Sequence, residues 1–438
     1  MKNRMLIAVP AALIAIALGA TACDGGTEAP AEKPTPAVAD KGTATPEPTG
    51  MAVPAPEQEA LEGGPYPTLL VAQAWFWKDE ANKPKPGPAR LELWRQTPDG
   101  WRATRLEDGD SNVFHKAIQL EDGSIITIGA EGAHLKKWTF ADGAWTGESL
   151  WHQTWEGKFN RLRDLEIGDV DGDGKDEYVI ASHDYGVVAV YNPPEDGGEA
   201  EVIELDKTVD TFVHEIEIGD IDGDGKMEFF ATPTGRNKAN ASQAGQMVMY
   251  RYDGTTYVRT EVDPFGATHA KEILVSDLDG DGTSELFSVV EAETDAQKNV
   301  VKPVEIRQYT LQADGSFTHE SIMTIDDRQT RFLVPGDFDG DGDVDLVAAA
   351  MKTGLWLLTK EEGGWEKTLI DAISSGFEHT SYAADLDGDG TLELYVAADN
   401  QQELKAYRYN AEKKAFDKEL LGRIADNTIT WNITTGSM

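Results

Sequence analysis

The sequence is poor in cysteine and in basic residues. Cys23 is the one cysteine among 438 residues, so no disulfide within the chain can stabilise the fold. Lys and Arg number 39 against 78 Asp and Glu, which gives a formal net charge of −39. Binding of nucleic acid needs a basic face that neutralises phosphates, and nucleic acid is therefore not an expected partner.

Common catalytic motifs are also missing. The chain contains no nucleophile elbow, no H-E-x-x-H pair, no phosphate-binding loop and no dinucleotide fingerprint. These absences do not exclude an enzyme, but they leave no reaction class indicated by a local motif.

What the sequence does contain is one short acidic motif in five copies. The copies begin at residues 169, 220, 277, 337 and 385, and successive copies are 51, 57, 60 and 48 residues apart. A period near 50 residues is typical of one four-stranded propeller blade. Each copy carries acids at positions 1, 3, 5 and 9 and a glycine at position 6, where a positive φ permits a sharp turn.

Four carboxylates on one loop can converge on a hard cation. Ca²⁺ takes six to eight oxygen ligands at about 2.3–2.6 Å and tolerates irregular geometry. The last acid stands at position 9, and a strand follows it, which distinguishes the loop from an EF-hand. The predicted calcium ligands are Asp169, Asp171, Asp173, Glu177, Asp220, Asp222, Asp224, Glu228, Asp277, Asp279, Asp281, Glu285, Asp337, Asp339, Asp341, Asp345, Asp385, Asp387, Asp389 and Glu393.

These loops resemble the FG-GAP and VCBS repeats of β-propellers, including the propeller of integrin α-subunits. The resemblance covers roughly residues 66–438 and implies an all-β fold in which calcium is structural. It carries little information on activity, because such propellers serve adhesion, scaffolding and some carbohydrate enzymes.

Strand patterns around the motifs predict seven blades. Residues 68–75, 90–94 and 101–105 read as strands two to four of a blade that lacks its first strand, and residues 428–434 read as a first strand with nothing after it. Together they make one blade, which joins the two ends of the chain and removes exposed sheet edges. Residues 116–128 form a degenerate copy with a loop too short and too poor in acids to bind calcium.

The amino terminus reads as an export signal. Lys2 and Arg4 precede an apolar run at residues 5–18, which is too short to span a bilayer and fits a secretory leader over residues 1–22. Cys23 stands where a bacterial lipobox places the lipidated cysteine, although Ala20-Thr-Ala22 also fits a plain signal-peptidase site. The predicted organisation is thus a leader at residues 1–22, a disordered Pro/Ala/Thr-rich tether at 23–65 and a propeller at 66–438. The expected location is the bacterial cell envelope, at the outer membrane or a periplasm-facing surface, with secretion as the alternative if Cys23 is not lipidated.

A basic or imidazole group lies six residues before each acidic loop. These groups fall at the start of the innermost strands, around the channel on the face opposite the loops, and carboxylates stand beside them. Three roles remain open for this ring: ion pairing that fills the channel mouth, binding of an anionic glycan or protein ligand, and catalysis or metal binding by histidines. The predicted ligand ring is Arg163, His214, Lys271, Arg331 and His379; the catalytic candidates are His214, His269, His379, Glu215 and Glu378.

The loops between second and third strands are long in three blades, at residues 77–89, 233–246 and 292–303, and share the face of the ring. Five tryptophans occur inside strand patterns and are expected in the blade core rather than as a platform for a sugar: Trp75, Trp77, Trp94, Trp356 and Trp431. The favoured function is a calcium-stabilised, lipid-anchored ligand- or partner-binding module outside the cytoplasm. The first alternative is a carbohydrate-active enzyme, similar to a polysaccharide lyase, that uses a ring residue as base. The second is a purely structural surface protein.

Overall fold

The computed structural model describes residues 64–155, 160–183, 185–194, 198–236 and 242–438. Within these residues the chain is all-β, and its long strands form seven antiparallel sheets arranged in a ring. The predicted leader and most of the tether lie outside the described residues. None of the described residues forms a helix that is long and apolar enough to cross a bilayer.

The first two blades precede the acidic loops. Blade 1 contains β1 (Pro67–Lys78), β2 (Pro84–Pro86), β3 (Ala89–Thr97) and β4 (Gly100–Asp108). Blade 2 contains β5 (Val113–Gln119), β6 (Ile125–Ala130), β7 (His134–Ala141) and β8 (Ala144–His152).

Blades 3 to 5 each carry an acidic loop between their first and second strands. Blade 3 contains β9 (Leu162–Gly168), β10 (Glu177–Ser182), β11 (Val188–Asn192) and β12 (Glu201–Asp206). Blade 4 contains β13 (Thr211–Gly219), β14 (Glu228–Gly235), β15 (Met247–Tyr252) and β16 (Tyr257–Asp263). Blade 5 contains β17 (Ala270–Ser276), β18 (Glu285–Val290), the inserted hairpin β19 (Glu293–Thr294) and β20 (Val300–Lys302), then β21 (Val304–Leu311) and β22 (Phe317–Ile325).

Blades 6 and 7 carry the last two loops and are followed by the closing strand. Blade 6 contains β23 (Thr330–Gly336), β24 (Asp345–Ala350), β25 (Gly354–Glu361) and β26 (Gly364–Asp371). Blade 7 contains β27 (Ser381–Ala384), β28 (Glu393–Ala398), β29 (Glu403–Asn410) and β30 (Ala415–Arg423), and β31 (Thr428–Ser437) ends the chain.

The carboxy-terminal strand closes the ring, as the sequence predicts. β31 pairs antiparallel with β1 from Pro67↔Ser437 to Trp75↔Thr428, so it becomes the innermost strand of blade 1. The innermost strands then follow one another around the channel in the order β31, β5, β9, β13, β17, β23 and β27, and β27 contacts β31. The seven-bladed propeller predicted from the repeat spacing is therefore confirmed.

Strand alternation explains why neighbouring blades pack together. Successive side chains point to opposite faces of a sheet. In β10, Tyr178 and Ile180 pack against blade 2, whereas Val179 and Ala181 pack against blade 4. Equivalent apolar clusters lie at the other junctions, including the one between blades 7 and 1. Each second strand is consequently buried on both faces and can only be stable between two neighbours.

Removal of the closing strand tests the ring. Deleting residues 427–438 removes the hydrogen bonds of β31 to β1 and exposes the inner edge of blade 1. We expect loss of the cooperative fold and aggregation, measured by circular dichroism and size-exclusion chromatography. As a control, replacing the exposed turn 295–299 with Gly-Gly should leave the fold intact. A truncated protein that stays monomeric and melts like the full chain would contradict the closure.

Candidate functional site

Each acidic loop folds around its first aspartate. In the first loop, Asp169 accepts hydrogen bonds from the backbone N–H groups of Gly172 at 2.7 Å and Gly174 at 2.9 Å. Both glycines have positive φ, of 77° and 89°, which side-chain-bearing residues rarely adopt. The same pair of bonds recurs in the other four loops, so the repeated sequence produces one repeated geometry.

The acid at position 9 lies beneath the loop. Glu177 is buried, and its carboxylate accepts a hydrogen bond from the N–H of Val170 at 3.0 Å. Burial, reinforced by Asp171 and Asp173, raises the pKa of Glu177 to about 7. Asp345, the shorter acid of the fourth loop, also has its pKa raised to about 7 by burial and by Asp339. Buried carboxylates beside other carboxylates form a donor set that suits a hard divalent cation, because the cation would compensate their charge.

Three ligand atoms converge within 4.8 Å of one another in every loop. The fifth-position acids join the groups of the loops at 277 and 337 but not those of the other three, in which the ninth-position glutamate takes part. Glu285 and Asp345 lie outside the groups of their loops. The converging sets are Asp169, Asp171 and Glu177; Asp220, Asp222 and Glu228; Asp277, Asp279 and Asp281; Asp337, Asp339 and Asp341; Asp385, Asp387 and Glu393.

Two of the loops are contacted by an arginine that the sequence analysis missed. In blade 4, Arg251 donates to Glu228 at 2.8 Å and to Asp222 at 2.6 Å. In blade 7, Arg408 lies opposite Glu393 on the neighbouring strand and donates to Asp387 at 2.5 Å and to Asp389. A cation bound in these loops would share its carboxylates with a guanidinium, so we expect weaker cation binding there than in blades 3, 5 and 6.

The structure brings together three members of the predicted ring. Arg163, Lys271 and Arg331 surround the channel with exposures of 9, 3 and 6 %, and line one small cavity together with Glu215 and Glu378. The space left in this cavity is about 20 Å³, which accommodates about one water molecule.

The two ring histidines lie apart from this cavity. His379 precedes β27 with a φ of 57°, and its ring contacts Ser374 Oγ at 2.8 Å and the carbonyl of Ala350 at 2.7 Å. His214 places Nδ1 at 3.1 Å from Nε2 of His183, and its own Nε2 has no hydrogen-bond partner among the described residues. Counting residues places both histidines at the repeat position of the arginines, but the backbone turn at His379 directs that side chain elsewhere.

The cations around the channel are paired with buried carboxylates. Glu378 contacts Arg331 and lies 3.7 Å from Arg163. Glu291 lies 3.2 Å from His269, 3.8 Å from Lys271 and 3.5 Å from Arg331. Although burial opposes ionisation, Lys271 and His269 hold the pKa of Glu291 well below its usual range.

A second part of the channel is dominated by acids. Lys116 contacts Asp164 at 3.1 Å and also Glu166. Burial and the charge of Asp164 raise the pKa of Glu215 well above its usual range, and burial and the charge of Glu166 do the same for Glu217. These glutamates therefore favour the neutral form inside the fold.

Burial also lowers the pKa values of the channel histidines. Burial and the charge of Lys271 lower the pKa of His214 well below its usual value, and burial lowers the pKa of His379 to about 4. Burial lowers the pKa of His269 as well, although Glu291 opposes the shift. Both His214 and His379 have the neutral form that a general base requires, but they are 2 % and 0 % exposed.

The residue that directly follows the second strand of a blade is a second repeat position near the channel. His183 and Glu291 each directly follow the second strand of their blade, at the end of the sheet that opens on the ring face. Asp399 holds the same place in blade 7 and accepts a hydrogen bond from the N–H of Thr430 in β31 at 3.1 Å. A count back from the acidic loops does not reach this set, whereas a count forward from them does.

The described residues of the inserted loops lie on the ring face. Ser242 in the blade 4 insertion bonds Thr294 in β19, with the Thr294 N–H donating to Ser242 Oγ at 2.8 Å.

One tryptophan prediction is wrong. Trp94 is buried, but Trp77, which was expected in the core, is 49 % exposed at the end of β1. Strand patterning places Trp77 on β1 without showing that β1 extends beyond its sheet at this point.

The fold and the repeated loops together define the class of protein as a seven-bladed β-propeller. Within that class, three stretches of the chain match the FG-GAP-like repeat: residues 169–231, 277–348 and 337–396. The chain is thus a propeller that carries FG-GAP-like repeats. Among curated proteins, no sequence matches this chain significantly.

Solved structures with the same fold include propellers described as lactonases. A putative 6-phosphogluconolactonase from Bacteroides fragilis has a TM-score of 0.54 at 14 % identity, over 86 % of this chain and 100 % of that one. A periplasmic gluconolactonase from Pseudomonas aeruginosa has a TM-score of 0.50 at 13 % identity, over 84 % of this chain and 98 % of that one. Identities this low demonstrate a shared fold alone.

A double-mutant cycle tests whether the ring cations are structural. Arg331→Gln leaves Glu378 and Glu291 less compensated inside the channel, and we expect it to lower the free energy of unfolding by about 3–5 kcal/mol. Glu378→Gln should cost a similar amount, and the double variant less than the sum of the two. Denaturant unfolding measures all three.

The exposed pair Lys413–Asp417 serves as the control for this cycle. Lys413→Gln should leave the free energy of unfolding nearly unchanged, because both partners lie in solvent. An Arg331→Gln variant with wild-type stability would contradict the pairing and leave this cation available to a ligand.

Proposed function

We propose that this protein is a calcium-stabilised propeller that acts outside the cytoplasm as a ligand- or partner-binding module. The observation that carries the proposal is the repeated loop geometry, in which three carboxylate oxygens converge in each of five loops. Calcium would neutralise these acids and hold each loop against the sheet, since no disulfide can do so. A requirement for calcium outside the cytoplasm is consistent with the export signal that the sequence predicts at residues 1–22.

The ring face is the proposed binding surface. The described residues of the insertions in blades 1, 4 and 5 lie there, and loops on a rigid scaffold commonly carry binding groups. The predicted site for an anionic glycan or protein at Arg163, His214, Lys271, Arg331 and His379 stays a prediction. The cations at the channel are already paired with buried carboxylates. This pairing favours ligand binding at the outer part of the ring face rather than at the channel.

The alternative of a lyase-like enzyme requires a base beside a space large enough for a saccharide. His214 is neutral, but it is buried, and the cavity at the neighbouring channel residues has room for about one water molecule. This geometry favours binding over catalysis at the ring.

Calcium removal should destabilise the fold. Each loop occupied at a hundredfold excess over its Kd contributes about 2.7 kcal/mol to the free energy of unfolding, so chelation with EGTA should lower Tm by on the order of 10 °C. Differential scanning calorimetry measures this change. Titration of the stripped protein with Ca²⁺ should resolve two classes of site, the weaker class being the loops with Arg251 and Arg408.

The control for calcium removal separates the ion from ionic strength. Addition of KCl at the ionic strength of the EGTA buffer should leave Tm unchanged, and Ca²⁺ should restore it. Equal melting temperatures in Ca²⁺ and in EGTA would rule out calcium as the stabilising ion.

Lipid anchoring through Cys23 is the second part of the proposal. Cys23→Ser should move the protein from the membrane fraction to the soluble fraction, because the acyl chains have no other attachment point. Fractionation followed by immunoblotting measures the shift. Thr21→Ser, which keeps the cysteine, is the control and should stay in the membrane fraction. A Cys23→Ser variant that also remains there would contradict the anchor.

A further inference from the structure

A cleft of about 870 Å³ lies between blades 1 and 2 on the ring face. It is formed where β1 extends beyond its sheet and where the turns after β4 and β6 meet. Its walls include Trp77, Asp110, Asn112, Glu131, Thr154 and Asn160. This volume falls within the range of small-molecule sites, about 300–1,000 Å³. The cleft lies in the two blades that carry no acidic loop, so it is separate from the loops and from the channel.

The aromatic wall of the cleft is held in place by its surroundings. Trp77 pairs with Lys85 of β2, which fixes the end of β1 as a two-stranded extension. Behind it, Gly87 packs so closely on Trp75 that a Cβ there would fall 2.1 Å from the indole ring. Arg90 covers Trp75 at 4.5 Å from the ring centroid. The exposed indole of Trp77 is therefore presented on a supported strand.

The opposite wall is polar. Asp110 has a side chain that is 71 % exposed, and Lys136 donates to its carboxylate at 2.7 Å. Asn112 donates from Nδ2 to Glu131 at 3.3 Å, and the carbonyl of Asn160 accepts from the N–H of Gly132 at 3.1 Å. The carboxylates of Asp110 and Glu131 and the amide of Asn112 thus line the cleft, and each has a hydrogen-bond partner.

An indole face opposite carboxylate and amide groups matches the chemistry of a sugar. The C–H face of a pyranose packs on an aromatic ring, while its hydroxyls donate to carboxylates and both donate to and accept from amides. The charges of the cleft residues also limit which sugars could bind. Asp110 and Glu131 are acidic, and Lys136 is buried and already bound to Asp108 and Asp110, so an anionic sugar is disfavoured.

We propose that this cleft binds a short neutral oligosaccharide, with Trp77 as its stacking platform. The inference rests on the proposed binding function, and it adds a ligand class and a site. A cationic ligand is the competing occupant, because carboxylates and an aromatic face also attract ammonium groups. Among the described residues that line the cleft, one exposed indole without an enclosing aromatic cage favours the sugar.

Isothermal titration calorimetry tests the proposal on the full chain carrying Cys23→Ser, in saturating Ca²⁺. The probes are the tetrasaccharides of β-1,4-glucose, α-1,4-glucose, β-1,3-glucose, β-1,4-mannose and β-1,4-xylose, with spermine as the cationic probe. We expect at least one tetrasaccharide to bind with a Kd of about 1 mM or tighter. Trp77→Ala should weaken that binding by about tenfold or more, and Trp77→Phe should weaken it less, because a smaller aromatic face remains.

Phe140 provides the matched control, since it is an exposed aromatic residue on the outer hairpin of blade 2. Phe140→Ala should leave the Kd unchanged, and equal melting temperatures would show that both alanine variants are folded. The proposal is overturned if no tetrasaccharide binds at 1 mM, if Trp77→Ala binds as wild type does, or if spermine alone binds. Because chelation tests the loops and Trp77 tests the cleft, failure of calcium stabilisation and failure of sugar binding would be seen separately.

Discussion

The structure depends on the pairing of β31 with β1. Each blade presents two apolar faces, and each face is buried only if another blade stands beside it. A row of blades would leave one face exposed at either end, whereas a ring leaves none. Side chains from both neighbouring blades stabilise the closing strand: Thr430 bonds Asp399 and Thr380 of blade 7, and Ser437 bonds Gln119 of blade 2. Strands β1 and β31, which are far apart in the sequence, thereby belong to one sheet.

The centre of the ring is filled by charge. Several channel carboxylates bond backbone N–H groups in the neighbouring blade: Asp164 of blade 3 accepts from Ile216 of blade 4, and Glu272 of blade 5 accepts from Leu333 of blade 6. Others pair with Arg163, Lys271 and Arg331. A buried charge is costly unless it is compensated, so these groups bind one another before they can bind a ligand. This is the physical reason to look for ligand recognition away from the channel.

The proposed functions lie in two regions of the propeller. Blades 3 to 7 carry the acidic loops on one face, where a bound cation would stabilise the turn between first and second strands. Blades 1 and 2 lack such loops, and on the opposite face they form the cleft at Trp77. The blades without acidic loops depend on ring closure and on packing for their stability, and the cleft lies between them.

The sequence by itself determined the number of blades, the position of each acidic loop and the sharing of blade 1 between the chain ends. These features follow from local rules, namely the period of the motif, strand alternation and positive φ at glycine, and each can be read within a few residues. Only the tertiary structure decided which side chains meet. The count that placed His379 with Arg331 could not show the backbone turn that directs its ring toward Ser374. The contacts of Arg251 with Glu228, of Glu291 with Lys271 and the exposure of Trp77 depend on strand register and on neighbouring blades, because residues distant in the sequence become adjacent only after the ring closes.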